Sequence, residues 1–298
     1  MNILKRFYIY QKERFPIAIL TFTTLAVVLS SVAVISKNHM PISSYLKEIV
    51  LAFIAGMIFM YHIRVLDERK DLNFDTKYHK DRPIQKGIIS LKSLFILDFL
   101  LIIVLFAISI YSSFNAFIFL LISMIYSLIA GMDFFLGNKI RNKFFIYNLL
   151  CLFQLFFFQI HLYSLMTPII NFLDPLLYIH FVFVIVNAGI LEVGRKLKVK
   201  SNESLGKDTY SSQIGKRKSA IMFIVIIFLS FFIFSYLLFK LSSINALFFT
   251  GILSLILVTL STLFYLSSEK IYAERLIEIT GVIYYLSLHL LIFLAMFI

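Results

Sequence analysis

The sequence predicts an all-α integral-membrane protein, a bundle of nine transmembrane helices. Of the 298 residues, 60% are hydrophobic, 17% are aromatic and only 15% are charged, which is far from the composition of soluble proteins. Hydrophobic runs recur that reach the roughly 20 residues needed to cross about 30 Å of hydrocarbon. They are too long and too continuously apolar for the alternating strands of a membrane barrel, which leaves helices.

The nine runs cover most of the chain, and short connections separate most of them. In chain order the predicted spans are Pro16 to Ile35, Tyr45 to Leu66, Leu91 to Tyr111, Phe114 to Phe135, Phe144 to Met166, Leu176 to Val193, Ala220 to Phe239, Asn245 to Leu266 and Arg275 to Ile298. The first run is long and lacks a small-residue cleavage site, so we interpret it as a span and not as a signal peptide. We expect residues 1–298 to form a single transmembrane domain.

Positive charges predict how the bundle lies in the membrane. With a cytoplasmic N-terminus, 25 of the 28 Lys and Arg residues fall on the cytoplasmic side, and only Lys37, Lys47 and Lys240 fall on the other. This bias is typical of membrane proteins, and nine spans place the C-terminus on the opposite side. The net charge of +12 then indicates attraction to anionic membrane lipids and not a nucleic-acid surface. We expect a protein of a bacterial plasma membrane.

Two predicted cytoplasmic loops are longer and more polar than the other connections. They comprise about residues 67–90 and about residues 194–219, and four spans separate them. An even number of spans places both loops on the same membrane face. The pattern suggests two similar halves, each a group of helices followed by a charged loop.

The first loop opens with a dense group of carboxylates. Four lie within nine residues: Asp67, Glu68, Asp71 and Asp75. The three aspartates have the spacing i, i+4 and i+8, so they would stack along one face if the preceding helix continued past the membrane. Like charges at this spacing cost about 0.2–0.5 kcal/mol per pair on a helix, which indicates a nearby cation. A solvated loop with local Arg and Lys partners is one interpretation, and a divalent metal is the other.

Magnesium suits the second interpretation, because it binds hard oxygen ligands through one or two carboxylates plus substrate phosphates. The remaining groups of such a site would be cations that hold phosphate oxygens. Arg82 lies seven residues after Asp75, and Lys86 follows it. Arginine and lysine both bind phosphate. Acidic group, basic turn and membrane edge together indicate a lipid-like diphosphate as the ligand.

At these residues the sequence resembles the UbiA superfamily of intramembrane prenyltransferases, whose members have nine transmembrane helices and two aspartate-rich cytoplasmic motifs. The first motif of that family reads NDxxDxxxD, with an Arg-Pro pair seven residues later. Here it reads DExxDxxxD from Asp67 to Asp75, and Arg82-Pro83 stands at the same offset. Glu68 replaces an aspartate and Asp67 replaces the asparagine. Both substitutions keep an oxygen ligand, so the resemblance implies magnesium binding by all four carboxylates.

The second loop departs further from the family pattern, because its closely spaced aspartates are missing. Glu192 stands where the first acidic ligand of that motif would lie, and the Asp208-Thr209-Tyr210 stretch resembles the end of the family's loop. The resemblance implies a mixed role here. Glu192 and Asp208 would bind a second metal, and three residues would contact the diphosphate: Arg195, Lys196 and Tyr210.

The function implied by the resemblance is transfer of an isoprenyl group from an isoprenyl diphosphate to a lipophilic acceptor, with Mg²⁺ as cofactor. The residues implied in catalysis are Asp71, Asp75 and Glu192. Aromatic acids, quinone precursors, haem and glycerol phosphates all serve as acceptors in this superfamily, and the sequence does not select among them. Two alternatives stay open. One is a membrane terpene cyclase, and the other, from a different class, is a non-catalytic lipid carrier, suggested by the degraded second motif.

Several polar residues within the spans are candidates for the bundle interior, because ionisable groups are costly in lipid. They are Asp98, Asp133, Glu278, His62, His161, His180, Asn187 and His289. Asp133 and Asn187 stand out, since each lies toward the cytoplasmic end of its span. The spacing of the histidines makes no metal site, and we interpret them as hydrogen-bonded helix contacts or interfacial residues. The single cysteine, Cys151, excludes an internal disulfide.

Overall fold

The computed structural model describes residues 2–36, 42–242 and 246–297. These three ranges are helical and contain no β-strand, and nine of their helices are long and apolar enough to cross a membrane. The predicted fold class, an all-α bundle with nine membrane-spanning helices, is therefore confirmed. Three residues named above lie outside the described ranges: Lys37, Asn245 and Ile298.

The chain divides into two compact units, Met1–Val28 with Ser43–Ile170, and Leu29–Ile42 with Asn171–Ile298. The helices that begin in the first unit are α1 (Ile3–Arg14), α2 (Ile17–Ser36), α3 (Leu46–Lys70), α4 (Leu72–Tyr78), α5 (Leu91–Ser112), α6 (Phe114–Gly131), α7 (Asn138–Arg141) and α8 (Phe144–Met166). The second unit contains α9 (Pro175–Arg195), α10 (Tyr210–Ile214), α11 (Lys216–Leu241), α12 (Ala246–Ser267) and α13 (Ile271–Leu294), and α2 passes into it at Leu29. Each unit carries one charged loop. That residues 1–298 act as one domain stays a prediction.

Hydroxyl caps and a close helix contact shape the first unit. Ser90 accepts a hydrogen bond from the Ser93 amide, which starts α5, and Ser113 starts α6 in the same way. Such caps satisfy backbone donors that the first helical turn leaves unpaired. In α3, a Cβ added at Gly56 would lie 2.5 Å from Cγ2 of Thr24, so only glycine permits this approach to α2. Close packing of this kind holds helices together in lipid, where hydrophobic burial gives no advantage.

Helix α1 was not predicted from the sequence. Its side chain at Tyr10 is buried, and Tyr10 belongs to a core with Phe15, Tyr61, Val65 and Leu94. This core packs α1 against α3 and α5 of the same unit. Arg14, at the C-terminal end of α1, is thereby placed beside the end of α3.

The second unit also begins its helices with defined caps. Asp174 accepts a hydrogen bond from the Leu176 amide, and Pro175 occupies the first helical position of α9, where its missing amide hydrogen is no loss. A capping box at Thr209 starts α10. Gly215 separates α10 from α11 with a φ of 83°, a conformation that other residues seldom adopt. These caps fix the second charged loop between α9 and α11.

Candidate functional site

The four carboxylates of the first loop do not form a straight stack. Helix α3 ends at Lys70, Asp71 takes φ −95° and ψ 4°, and α4 starts at the next residue. This break separates the aspartates into two environments. The side chain of Asp75 is 1% exposed, whereas that of Asp71 is 39% exposed.

Three arginines surround the two buried carboxylates, Glu68 and Asp75. Oε1 of Glu68 accepts hydrogen bonds from Nε of Arg14 at 2.8 Å and from Nη2 of Arg64 at 2.5 Å. Asp75 pairs with Arg82 through Oδ1, and Nη2 of Arg14 lies 3.5 Å from its Oδ2. Two buried negative charges are therefore compensated by three guanidinium groups. We call these five residues the arginine cluster.

The other two carboxylates, Asp67 and Asp71, lie nearer the surface. Nζ of Lys70 is 2.8 Å from Oδ1 of Asp67, and Nη1 of Arg141 is 3.5 Å from Oδ1 of Asp71. Burial raises the pKa of the Asp71 carboxyl above its usual value, Lys70 opposes the shift, and Asp67 adds to it. Asp67 and Asp71 are one turn apart, because the Asp71 amide donates to the Asp67 carbonyl at 2.9 Å.

Asp133, which stood out in the sequence, helps to hold Arg141. Its Oδ2 accepts from Nε of Arg141 at 2.8 Å, and its Oδ1 accepts from the Tyr147 hydroxyl at 2.8 Å. The residues from Asp133 to Phe135 all have positive φ values, which is costly for residues other than glycine and is often associated with functional sites. Sequence reasoning missed Arg141 and Tyr147, because their partners are set by this unusual turn.

The arrangement can be tested for its fit to magnesium. Among the described residues, no three His, Cys, Asp or Glu side chains converge closely enough to hold a metal ion alone. Magnesium, however, needs only one or two carboxylates when phosphates and waters complete its shell. Asp67 and Asp71 fit that requirement, since they are adjacent and partly exposed. Glu68 and Asp75 are committed to arginines, and metal binding by all four carboxylates stays a prediction.

In the second loop the structure brings four predicted residues together. Oε2 of Glu192 accepts from Nε of Arg195 at 2.9 Å, and Nζ of Lys196 lies 2.6 Å from its Oε1. The Lys196 ammonium lies 6.0 Å from the centroid of the Tyr210 ring, and the Tyr210 amide donates to the Lys196 carbonyl at 3.2 Å. The Arg195 side chain is 53% exposed. A carboxylate thus orients two cations, one of which is open to solvent.

The other two acidic residues of the second loop, Glu203 and Asp208, bind hydroxyl groups of the same loop. Asp208 accepts a hydrogen bond from Ser204, and Glu203 accepts from Thr209 and Ser211. The prediction that Asp208 binds a second metal with Glu192 is not tested by these contacts.

Glu274, in the first turn of α13, binds the second loop, and sequence reasoning missed it. This buried side chain accepts from the Val199 amide at 2.9 Å and lies 3.4 Å from Nζ of Lys198. Its position at the start of the last span gave no signal, because its partners come from a loop about 75 residues earlier.

The four buried histidines of the spans each have a polar partner, which confirms their interpretation as helix contacts. The expectation that Glu278 lies in the bundle interior is wrong, because its side chain is exposed on α13. In the first unit, Nδ1 of His161 lies 3.0 Å from the Ala116 carbonyl oxygen. In the second unit, Oγ of Ser30 lies 3.0 Å from Nε2 of His180 and 2.8 Å from Nδ1 of His289. Two further pairs involve residues singled out in the sequence: His62 with Asp98 at 2.9 Å, and Asn187 with Ser230 at 2.6 Å.

The described residues include nine apolar helices long enough to cross a membrane and two charged loops at helix ends, which define the class of the molecule as an integral-membrane protein. The solved structure of a digeranylgeranylglyceryl phosphate synthase matches 98% of this chain over 99% of its own length, with a TM-score of 0.56 and 12% sequence identity. That protein is an intramembrane prenyltransferase of the UbiA superfamily. The resemblance found in the motif is therefore confirmed at the level of the fold. No protein-family sequence model and no curated protein sequence matches this chain.

Proposed function

We propose that this protein is a magnesium-dependent intramembrane prenyltransferase that moves an isoprenyl group from its diphosphate to a lipophilic acceptor. The arrangement at the end of α3 carries the proposal: two partly exposed aspartates beside a cluster of three arginines, on a prenyltransferase fold. An isoprenyl diphosphate matches this arrangement, because its diphosphate binds magnesium and guanidinium groups. Its hydrocarbon tail would lie in the membrane.

In the first unit, Asp67 and Asp71 would hold the magnesium ion together with diphosphate oxygens. When bound, the ion would neutralise negative charge on the departing diphosphate. Arg82 would donate hydrogen bonds to the same leaving group, while Asp75 and Glu68 hold the arginines in position. We thus propose Asp71 as a residue at the reacting group, and favour a positioning role for Asp75, which was also expected to bind metal.

In the second unit, Arg195 and Lys196 would contribute positive charge toward a diphosphate, and Tyr210 would fix the Lys196 backbone. Glu192 orients both cations, which is the part of its predicted catalytic role that the contacts favour. Oriented cations stabilise charge that develops in the transition state without reorganising during the reaction.

In the proposed reaction the bond between the allylic carbon and the diphosphate oxygen breaks, and its electron pair leaves with the oxygen. The acceptor nucleophile then bonds to the allylic carbon and loses a proton. Atoms and charge balance with pyrophosphate and a prenylated acceptor as products. The acceptor is lipophilic, and its class is decided by product analysis.

A second candidate is a non-catalytic carrier of isoprenyl diphosphates or related lipids. Its support is that every acidic side chain discussed in the two loops already has a protein partner. A terpene cyclase, which would quench the cation within its own chain, shares the ionising groups and differs in its product.

Pyrophosphate release by the purified protein in nanodiscs tests the proposal. The donors are geranyl, farnesyl and geranylgeranyl diphosphate, each with and without magnesium and with membrane lipid extract as the source of acceptors. Magnesium-dependent release with an acceptor-linked product in mass spectrometry supports the prenyltransferase. A cyclic product identifies the cyclase. If the protein binds the donor but releases no pyrophosphate, the prenyltransferase proposal is wrong and the carrier is favoured.

A further inference from the structure

A buried polar network ties together three helices of the first unit. Nδ1 of His62 in α3 lies 2.9 Å from Oδ2 of Asp98 in α5, and its Nε2 lies 3.1 Å from Oγ of Ser127 in α6. The exposed fractions are 2% for His62, 3% for Asp98 and 0% for Ser127. These side chains are therefore shielded from solvent. A role in direct contact with substrate is therefore disfavoured.

The network is specific in its geometry. Both ring nitrogens of His62 have a partner, each on a different helix. Ser127 also donates to the Met124 carbonyl at 2.8 Å, which fixes its rotamer. Oδ1 of Asp98 is buried and has no hydrogen-bond partner within the described part of the chain. Asp98 thus depends on His62, because an unpaired polar group in lipid is costly.

The position of His62 on α3 relates the network to the candidate site. His62 lies five residues before Asp67 and nine before Asp71. At about 100° per residue, these offsets place Asp67 about 140° and Asp71 about 180° around the helix axis from His62. The network therefore contacts the face of α3 that is roughly opposite the proposed magnesium ligands.

We infer that His62, Asp98 and Ser127 are positioning residues, which set the rotation of α3 about its axis and so present Asp67 and Asp71 to the diphosphate and its metal. This inference rests on the proposed function. The arginine cluster already holds the C-terminal end of α3 through Arg64 and Glu68, and the network adds directional contacts from His62 to two further helices, α5 and α6. A hydrogen bond has a narrow range of distance and angle, so two of them on different helices select one setting.

The test uses a double variant, H62L/D98V, that removes the pair without leaving a carboxylate unpaired. Replacing a buried pair by apolar residues of similar size is often neutral for stability. We expect its melting temperature in detergent to stay close to that of the wild type. The KM values for isoprenyl diphosphate and magnesium should rise at least about tenfold, since a displacement of about 1 Å can cost up to about 100-fold.

The single variant H62L should instead lower the melting temperature, because it strands Asp98. The single variant Asp98→Asn, which keeps a hydrogen-bonding side chain beside His62, should keep part of the affinity for isoprenyl diphosphate that H62L/D98V loses. If H62L/D98V keeps both the stability and the KM values of the wild type, the inference is overturned, since the network would then serve packing alone.

A second measurement follows the rotation itself and needs no activity. Spin labels at Arg69 and Lys139, both exposed in the first unit, report the distance from the end of α3 to α7 in a Cys151→Ala background. We expect a shifted or broadened distance distribution in H62L/D98V. An unchanged distribution contradicts the inference even if the protein releases no pyrophosphate, so failure of the network and failure of the proposed function are distinguishable.

Ser127→Ala has a matched control on the same helix. Ser123 is also fully buried in α6, and its hydroxyl donates to the Phe119 carbonyl of its own helix at 2.7 Å. Ser123→Ala should leave both the KM values and the distance distribution unchanged, whereas Ser127→Ala should alter both in the direction of the double variant. Equal effects of the two serine variants would count against the inference.

Discussion

The two charged loops use the same types of residue in opposite ways. In the first unit, both carboxylates of the arginine cluster are buried, and Arg14 joins the cluster from a position 54 residues before Glu68, in addition to the local pair of Arg64 with Glu68. In the second unit, Glu192 pairs with cations only three and four residues away. The first arrangement is part of the tertiary structure and cannot rearrange without breaking it. The second is local, so its cations can move toward a ligand at small cost.

The largest expected effect is on stability, and it tests whether the arginine cluster is structural. Glu68→Ala leaves Arg14 and Arg64 without their shared partner. Breaking a buried ion pair in this way costs about 3–5 kcal/mol. The free energy of unfolding, measured by titration with SDS, should fall by that amount. Glu192→Ala is the matched comparison and should cost less, because its partner Arg195 is 53% exposed and can turn to solvent. Equal losses would remove the contrast between the units.

The next effect is on catalysis and concerns the exposed pair of aspartates. Asp71→Asn should lower magnesium-dependent pyrophosphate release by about 10²–10³-fold, because a ligand to the charge-stabilising ion is lost. Its melting temperature should change little, since Asp71 is partly exposed. Asp81→Asn, at a fully exposed site of the same loop, should release pyrophosphate at the wild-type rate. Normal turnover in Asp71→Asn would exclude Asp71 from the proposed site.

A smaller effect is expected in the second unit. Lys196→Ala should raise the KM for isoprenyl diphosphate about tenfold, which corresponds to about 1.4 kcal/mol for one charge-assisted hydrogen bond. The local pairing predicts that Arg195 partly compensates, so the double variant should lose more than either single variant. Lys200→Ala, on an exposed cation of the same loop, serves as the control. An unchanged KM in the double variant would show that this loop does not contact the donor.

The smallest effect concerns the backbone of the second loop. Glu274→Gln keeps an acceptor for the Val199 amide and loses the charge that attracts Lys198. We expect the unfolding free energy to fall by about 1 kcal/mol and the hydrogen exchange of the Val199 amide to accelerate. If the Val199 amide exchanges as slowly as in the wild type, the capping box at Thr209, and not Glu274, holds the loop conformation.

Much of the fold could be predicted, because long apolar runs admit few structures in lipid. Each of the nine predicted spans corresponds to a long apolar helix among the described residues, and differences occurred at their ends. Helix α6 ends at Gly131, four residues before the predicted end at Phe135, whereas charged residues extend two other helices. Helix α3 continues from Leu66 to Lys70, and α11 starts at Lys216 and not at Ala220. Helix α1 was missed because its hydrophobic pattern is short and its packing partners, such as Tyr61 and Leu94, lie far away in the sequence.

The candidate site was predicted in its residues and less well in its geometry. The spacing of the three aspartates suggested one aligned stack, but the chain breaks its helix at Asp71, and Asp75 is buried against Arg82. Arg14 was noted in the sequence as either a neighbour of the diphosphate or an ordinary interfacial anchor, but its pairing with Glu68 was not predicted. Arg141 and Glu274 gave no sequence signal, because a single charged residue at a span end is ordinary. The pairing of His62 with Asp98 was likewise hidden, since both were visible only as isolated polar residues within apolar runs.

The amino-acid sequence by itself predicted a membrane protein with nine spanning helices, which agrees with the nine long apolar helices among the described residues, and it identified the loops that carry the charged motifs. Both follow from local composition and spacing, because the bilayer penalises every unpaired backbone group and every exposed charge. Only the tertiary structure decided which carboxylates are buried with arginines and which stay accessible. That choice depends on contacts between residues far apart in the chain, and no local pattern encodes their distances.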